Sequence, residues 1–125
     1  MRILVTGSRT WTDRETIAAA LQAFCPYPEV STLVHGAAEG ADTIAARCAD
    51  ELGMTVEPHP VKREQWRIAG RRAGHLRNQY MVDLGADLCL AFQVDDSSGT
   101  ADCVRRARLA GIRVEHFKSP TTQGE

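Results

Sequence analysis

Residues 32–53 read Thr-Leu-Val-His-Gly-Ala-Ala-Glu-Gly-Ala-Asp-Thr-Ile-Ala-Ala-Arg-Cys-Ala-Asp-Glu-Leu-Gly. A short apolar run ends at His35 and Gly36, and Gly40 and Asp42 then open a helical pattern. Apolar residues recur at helical spacing on one face of this helix, at Ile44, Cys48 and Leu52. The pattern predicts a strand, a tight glycine turn and a helix.

Such a unit directs backbone N–H groups and the positive end of the helix toward whatever lies above the strand. Phosphates and other anions are the natural occupants of that position. A connection that needs glycine only to make its turn would explain the same residues. The neighbouring segments must decide between the two interpretations.

The rest of the chain repeats this alternation of strands and helices. Strands are predicted at residues 3–5, 33–34, 54–57, 87–94 and 112–117, with helices between them. Alternation of this kind is typical of the α/β class, with helices on both faces of a parallel sheet. Right-handed crossovers favour a Rossmann-like three-layer sandwich with a five-stranded sheet in the order 3-2-1-4-5.

Several local features refine this prediction. Thr12 with Glu15 forms a capping box for the first helix, and Ser98 is an ordinary N-cap candidate for the last. Residues 71–84 are predicted to form a helix, whereas the apolar residues of segment 61–70 show neither helical nor strand periodicity. The inward face of the 71–84 helix is predicted to carry Ala73, Leu76, Tyr80 and Leu84.

Composition limits the class of protein. The length of 125 residues suits one domain. The net charge of -1 disfavours a generic polyanion binder. We assign residues 1–117 to that domain and residues 118–125 to a flexible C-terminal tail. The four cysteines form no Cys-x-x-Cys pair and the histidines no metal-ligand spacing. We therefore expect free thiols, a cytoplasmic location, and no metal, cofactor or membrane segment.

Three loops rich in Gly, Ser and Thr leave the first, second and fourth strands. In the predicted order they meet at the switch point, where open α/β sheets bind ligands. The candidate ligand-binding residues in these loops are Thr6, Gly7, Ser8, Arg9, Trp11, His35, Gly36, Gly40, Asp42, Ser97, Ser98, Gly99 and Thr100.

Several of these candidates also have an ordinary structural explanation. Arg9 could hold a phosphate or carboxylate, or be a solvated surface residue. Asp42 could accept hydrogen bonds from ribose hydroxyls, or stabilise the first turn of its helix. Residues 97–100 could form an anion nest or a helix cap.

Residues 62–77 contain a local excess of positive charge. The segment has one acidic residue, Glu64, and six basic ones: Lys62, Arg63, Arg67, Arg71, Arg72 and Arg77. A solvated basic face is the usual explanation of such a run. Arg77 lies beside the predicted inward stripe, and a partly buried Arg needs an anionic partner. Trp66 could fill the core or stack on a base, and the core is the commoner place for Trp.

Familiar enzyme fingerprints are absent from the sequence. No Gly-x-Gly-x-x-Gly follows the first strand, so a dinucleotide-dependent dehydrogenase is disfavoured. The chain also has no Gly-x-x-x-x-Gly-Lys-Ser/Thr P-loop and no Gly-x-Ser-x-Gly nucleophile elbow.

Four motifs occur in order: Thr6-Gly7-Ser8-Arg9-x-Trp11, His35-Gly36-x-x-x-Gly40-Ala41-Asp42, Gly70-x-x-Ala73-Gly74-x-x-Arg77-Asn78-x-x-Met81 and Ser98-Gly99-Thr100. With these motifs the chain resembles the small YspA / YpsA-related branch of the SLOG superfamily. It is more distantly similar to the LOG phosphoribohydrolases and to DprA. The resemblance implies a Rossmann-like domain whose glycine loops, with Arg77 and Asn78, bind a nucleotide or a nucleotide-derived ligand.

The resemblance to LOG enzymes is incomplete at the catalytic position. Their last loop reads Pro-Gly-Gly-x-Gly-Thr-x-x-Glu, and its Glu acts with an Arg that Arg77 matches. The Glu position falls on Cys103 here, and Asp102 one residue earlier faces about 100° away on a helix. If the protein is an enzyme, its catalytic candidates are Arg77, Asp42 and Asp102.

Three functions remain open at this point. The first is a sensor or sequestering protein for a nucleotide-type small molecule, without catalysis. The second is an N-glycosidic hydrolase or transferase acting on nucleoside monophosphates. The third is a single-stranded nucleic-acid module that uses the basic segment and Trp66. The resemblance also implies a homodimer or a higher homo-oligomer.

Overall fold

A computed structural model describes residues 1–119 of the chain. The strands are β1 (Arg2–Gly7), β2 (Thr32–His35), β3 (Thr55–Pro58), β4 (Leu88–Val94) and β5 (Val114–Ser119). The helices are α1 (Arg14–Phe24), α2 (Ala41–Leu52), α3 (Arg63–Ala69), α4 (Arg71–Asp83) and α5 (Ser98–Leu109), with a 3₁₀ turn at Pro28–Val30.

The five strands form one parallel sheet in the order β3-β2-β1-β4-β5. This confirms the predicted α/β class, the Rossmann-like arrangement and the strand order. The switch point lies between β1 and β4, which pair along the register from Ile3–Leu88 to Gly7–Phe92. Both strands are buried, as expected of central parallel strands.

Alternate residues of the central strands point into two separate cores. Ile3 and Val5 pack in a cluster with residues of α1 and α2, including Leu21 and Ala45. Leu4 points the other way, into a cluster with Met81 of α4 and with residues of α5. Because successive side chains of a strand point to opposite faces of the sheet, helices pack on both faces and the fold has three layers.

The inward face of α4 was predicted wrongly at three positions. Its buried residues are Ala73, Gly74, Asn78, Met81 and Val82, whereas Leu76, Tyr80 and Leu84 are exposed. The prediction followed Leu76, Tyr80 and Leu84, but the buried face combines the small or polar Ala73, Gly74 and Asn78 with Met81 and Val82. Residues 63–69, which have no clean period, form α3, a helix without a buried residue.

Helix starts differ from the prediction by one residue. Asp13, not Thr12, caps α1, and its carboxylate accepts a hydrogen bond from the Thr16 N–H. Ser97, not Ser98, caps α5. Both changes exchange one good capping residue for its neighbour.

The C-terminal boundary also differs from the expected one. Strand β5 pairs with β4 as far as Ser119, so Lys118 and Ser119 belong to the sheet. The rest of the expected tail, residues 120–125, lies outside the described residues. Among residues 1–119, no helix combines the length and apolar character needed to cross a membrane.

Candidate functional site

A cavity of about 890 Å³ opens at the carboxyl ends of the central strands. The loops that follow β1, β2 and β4 form three of its sides, and α3 and α4 form the fourth. Arg9 from the loop after β1, Asp42 from the first turn of α2 and Thr100 from the first turn of α5 line this one cavity. The predicted site residues that line it are Thr6, Gly7, Ser8, Arg9, Gly36, Asp42, Arg77, Asn78, Ser97, Ser98, Gly99 and Thr100.

Four predicted site residues do not line the cavity. The buried Trp11 packs edge to face on Phe92, with ring centres 5.5 Å apart, and its Nε1–H donates to the Asp13 carbonyl. His35 is buried, and its Nδ1 accepts a hydrogen bond from the Ala37 N–H. Gly40 and Asp102 lie behind the lining residues and act on them through contacts described below.

Two glycines hold the loops against one another. A Cβ atom on Gly40 would lie 2.4 Å from the carbonyl oxygen of Arg9, and the φ of Gly40 is +74°. A Cβ atom on Gly7 would lie 2.3 Å from the Ala41 Cβ and 2.6 Å from the Phe92 carbonyl oxygen. These glycines therefore allow the start of α2 to approach β1 closely, rather than leaving space for a ligand.

Ser8 joins the first loop to β4. Its backbone N–H donates to the Phe92 carbonyl (2.8 Å), and its hydroxyl accepts from the Val94 N–H (2.8 Å). Its carbonyl accepts from the N–H groups of Trp11 and Ala41, both at 3.2 Å. Because these bonds occupy the buried Ser8, its main role in the structure is to fix the shape of the cavity floor.

Asp42 is the most unusual group of the site. Its side chain is buried, and Oδ2 accepts hydrogen bonds from the N–H groups of Gly36 (3.1 Å) and Ala38 (3.3 Å). Its Oδ1 is buried without a hydrogen-bond partner among the described residues. Burial raises the pKa of Asp42 to about 6, although the two N–H groups and the Arg77 charge act to lower it.

Arg77 reaches across the cavity from α4 to the loop after β2. Its guanidinium donates to the carbonyl oxygens of Gly36 and His59 (3.3 Å) and, through Nε, to Asn78 Oδ1 (3.1 Å). A Cβ atom on Gly36 would lie 2.6 Å from the Arg77 Cζ, so this glycine admits the guanidinium. Burial lowers the pKa of Arg77 while the Asp42 charge raises it.

A polar network behind the cavity fastens α4 to α5. The Asn78 amide donates to Asp102 Oδ2 (3.1 Å), which also accepts from Arg106 Nε (2.9 Å). Asp102 Oδ1 accepts from Arg105 (3.1 Å). Burial acts to raise the pKa of Asp102, but the hydrogen bonds from Arg106 and Asn78 outweigh it, so the pKa is lowered. Asp102 is thus a structural carboxylate whose oxygens are occupied.

The start of α5 closes the cavity on the β4 side. Ser97 Oγ and Thr100 Oγ1 are 2.8 Å apart, and Ser97 Oγ accepts the Thr100 N–H at 3.4 Å. A Cβ atom on Gly99 would meet nothing within 4 Å. The first turn of this 12-residue helix therefore faces open space at its positive end.

The cavity is also lined by residues that the site prediction omitted, among them Trp66, Arg71 and His75 on the side of α3 and α4, and Asp95 and Asp96 after β4. Trp66 is not a core residue, since it is 38% exposed, and a Cβ atom on Gly74 would lie 3.2 Å from its ring. A smaller hollow of about 270 Å³ adjoins the cavity, and both share Arg9, Arg77 and Trp66. The local excess of basic residues with one Trp in segment 62–77 was the sequence signal that could have identified this side of the cavity.

The side chains offer little to a metal ion. Within residues 1–119, no three His, Cys, Asp or Glu side chains lie together as metal ligands would. Cys103, at the position of the LOG glutamate, is fully buried, and burial raises its pKa to about 11. Its thiol is therefore neutral near pH 7 and poorly suited to act as a base or nucleophile.

Comparisons with known proteins agree with this architecture. The family model described as "YAcAr: YspA, cpYpsA-related SLOG family" matches residues 1–66. This chain belongs to that SLOG family. It is also 46% identical over 120 residues to the Gene 61 protein of Mycobacterium phage D29, covering 93% of this chain and 95% of the phage protein. No solved structure matches it. The family match spans the first two loops of the SLOG domain, whereas the phage relative also spans nearly all of the rest.

Proposed function

We propose that the protein binds a nucleotide or a nucleotide-derived ligand through its sugar phosphate, in the cavity at the carboxyl ends of the strands. Membership of the SLOG family supports a nucleotide-related role in general. The chemistry of the cavity supports the narrower proposal, because one carboxylate oxygen in it lacks a hydrogen-bond donor and several other groups attract an anion.

The observation that carries the proposal is the unpartnered Asp42 Oδ1. A carboxylate oxygen accepts hydrogen bonds and does not donate, so its missing partner must be a donor. Leaving such an atom buried and unpaired costs about 1–3 kcal/mol or more, which a ligand hydroxyl would offset. The hydroxyls of a ribose are donors of this kind.

The opposite requirement comes from the positive groups around the same cavity. Arg9, Arg71 and Arg77 line it, and the start of α5 points backbone N–H groups toward it. A guanidinium and a helix N-terminus are both good partners for phosphate oxygens. A ligand that presents hydroxyls to Asp42 and an anion to these groups is a sugar phosphate.

The remaining volume has room for more than the sugar phosphate. Ligand cavities of drug-sized molecules range from about 300 to 1,000 Å³, and this one measures about 890 Å³. The exposed ring of Trp66 at its rim offers a stacking surface for a base. We therefore favour a whole nucleotide, or a larger derivative such as ADP-ribose, over ribose phosphate alone.

A sensor or sequestering role accounts best for the groups available. The position of the LOG glutamate carries a buried neutral thiol, and the oxygens of Asp102 are occupied by Asn78, Arg105 and Arg106. A binding protein needs neither group to be reactive. The four buried free thiols suit the reducing cytoplasm, where we place the protein.

Calorimetry and thermal shift with AMP, ADP-ribose, NAD and cyclic nucleotides test the proposal. We expect at least one of them to raise the melting temperature and adenosine, which lacks phosphate, to have no effect. Asp42→Asn should abolish most of the shift, because its amide can still accept the two backbone N–H groups but presents N–H donors to the cavity. Asp50→Asn, on the exposed side of the same helix, is the matched control.

The opposing result is clear. If no phosphorylated ligand stabilises the protein at millimolar concentration, or if Asp42→Asn and Asp50→Asn bind equally well, the proposed site is wrong. Short single-stranded DNA in the same panel separates the nucleic-acid alternative, because its binding would weaken steeply with salt.

N-glycosidic hydrolysis is a second candidate because of one specific observation. The pKa of Asp42 is raised to about 6, which places a carboxyl near the working range of a general acid or of a group that stabilises a ribosyl cation. Arg77 beside it would hold the phosphate. Release of free base from AMP over hours, lost in Asp42→Asn and kept in Asp50→Asn, would establish turnover. If AMP stays unchanged, hydrolysis is excluded and binding without turnover is the function that remains.

A further inference from the structure

The guanidinium of Arg77 is turned so that one of its nitrogens stays unused. Its Nε donates to Asn78 Oδ1, and its Nη1 donates to the carbonyl oxygens of Gly36 and His59. Among residues 1–119, its Nη2 has no hydrogen-bond partner and the side chain forms no ion pair. Because a guanidinium binds anions through its N–H groups, Nη2 is the donor that remains for an anionic ligand.

The His59 carbonyl is one of the groups that set this orientation, and the rest of His59 is firmly held. Its N–H donates to the His35 carbonyl at 2.8 Å, which joins the end of β3 to β2. Its ring packs edge to face on Tyr80, with ring centres 5.5 Å apart, and Tyr80 lies one turn after Arg77 on α4. The ring nitrogen Nε2 lies 2.7 Å from Glu57 Oε2. The ring therefore joins Glu57 of β3 to the helix that carries Arg77.

Glu57 is clamped in turn by Arg2 at the start of β1. The Arg2 guanidinium donates to both carboxylate oxygens, from Nη1 at 3.0 Å and from Nη2 at 2.9 Å. Its Nε donates to the Gly85 carbonyl, just after α4, at 3.1 Å. The hydrogen bonds from Arg2 and His59 lower the pKa of Glu57 to about 2, so the carboxylate is ionised near neutral pH. A bidentate pair fixes direction as well as distance, so Glu57 presents one orientation to His59.

We propose that Glu57 is a positioning residue for Arg77. By fixing the His59 ring, it keeps the His59 carbonyl beside Arg77 Nη1, so that Nη2 remains for the phosphate of the ligand. Arg2, Glu57 and His59 line neither the cavity nor the adjoining hollow, so they act through Arg77 and not on the ligand itself. The role of the phosphate rests on the proposed function, whereas the positioning of Arg77 does not.

NMR of the arginine Nε–H signals in the ligand-free protein tests the positioning directly, with Arg77→Lys to assign the Arg77 signal. Glu57→Gln keeps the size of the side chain but removes its charge, and it should shift or broaden that signal because His59 is held less firmly. Glu115→Gln, on the other edge strand, is the matched control and should leave the signal unchanged. The Glu115 side chain is 31% exposed against 32% for Glu57, accepts from Arg113 at 2.8 Å, and does not line the cavity.

Calorimetry with ADP-ribose tests the consequence for binding. Glu57→Gln should weaken binding by about tenfold, as expected for a residue that orients a binding group, and Glu115→Gln should leave it unchanged. In the Arg77→Lys background, the same Glu57 change should weaken binding by less than about twofold, because its effect passes through the guanidinium. A merely structural ion pair would instead weaken binding equally in both backgrounds.

Two results would overturn the positioning role. The first is an Arg77 signal that is the same in Glu57→Gln and in wild type. The second is a loss of ADP-ribose affinity on Glu57→Gln that is equal with and without Arg77→Lys. If the Arg77 signal depends on Glu57 but no phosphorylated ligand binds the wild type, the positioning stands and the proposed function is wrong.

Discussion

The two sides of the cavity differ in how firmly they are held. On the α2 side, Gly40 lets the helix start pack against the Arg9 carbonyl, and two backbone N–H groups fix Asp42. On the α3 side, a helix without buried residues presents the exposed Trp66, and it reaches α4 through Gly70, whose φ is +56°. A ligand would meet fixed polar groups on one side and an adaptable surface on the other.

This contrast indicates a division of roles. Groups that recognise a sugar phosphate must be held in place before the ligand arrives, because their directional hydrogen bonds tolerate little error. A stacking surface tolerates more variation, since any base presents a flat face. We therefore expect changes on the α2 side to affect stability or recognition strongly and changes on the α3 side to have smaller effects.

Substitution of Gly40 by Ala should have the largest effect. The added Cβ would lie 2.4 Å from the Arg9 carbonyl oxygen, in addition to the strain of a positive φ. We expect a loss of about 3 kcal/mol in the free energy of unfolding, measured in urea. Gly53→Ala has a positive φ but no neighbour within 4 Å, and it should lose only about 1 kcal/mol. Equal losses would show that the α2 side is not tightly packed.

Asp102→Asn should reduce stability by about 1–2 kcal/mol while leaving ligand affinity almost unchanged. The carboxylate joins Asn78 of α4 to Arg106 of α5, and its pKa is lowered. A lowered pKa stabilises the fold above the ordinary carboxyl pKa, and the contribution is lost as the pH falls. The difference from wild type should thus shrink in urea titrations at about pH 3. A large loss of affinity instead would place Asp102 in the binding site.

Ligand affinity should fall by about tenfold between pH 7.5 and pH 5. The pKa of Asp42 is raised to about 6, so its carboxylate is ionised at the higher pH and mostly protonated at the lower. Protonation removes the charge that strengthens a hydrogen bond from a ligand hydroxyl. ADP-ribose is the suitable probe, because its pyrophosphate does not titrate in this range. A flat profile for wild type, or the same profile in Asp42→Asn, would contradict this role.

Trp66→Ala should have the smallest effect. The ring is exposed and packs on Gly74 without filling a core. We expect no measurable change in the free energy of unfolding and a loss of about fivefold in affinity for a nucleotide. Ribose 5-phosphate, which has no base, should bind wild type and variant equally. A large loss of stability would show that α3 is as firmly held as α2.

The fold could be predicted from the sequence because its signals are local and agree with one another. Unbroken apolar runs at 3–5 and 88–92 mark central parallel strands, and right-handed crossovers restrict the strand order. The meeting of the loops at the switch point follows from that order. The ligand-binding role of the loop residues stays a prediction.

The details that the sequence did not predict depend on contacts between distant residues. Nothing in the neighbourhood of Ser8 indicates that Val94 occupies its hydroxyl. Apolar character placed Leu76 and Tyr80 inward, where Gly74 and Asn78 lie. The side formed by Trp66, Arg71 and His75 was missed as part of the site because α3 has no helical period and α4 was turned the wrong way.

The most direct test of the central claim is a double-mutant cycle between the ligand and Asp42. Calorimetry would compare AMP with its 2′,3′-dideoxy analogue on wild type and on Asp42→Asn. If Asp42 Oδ1 accepts a ribose hydroxyl, loss of the hydroxyls should weaken wild type by about 30-fold and the variant by less than about threefold. Equal losses in both proteins would show that the hydroxyls do not contact Asp42, and would contradict the proposed mode of binding.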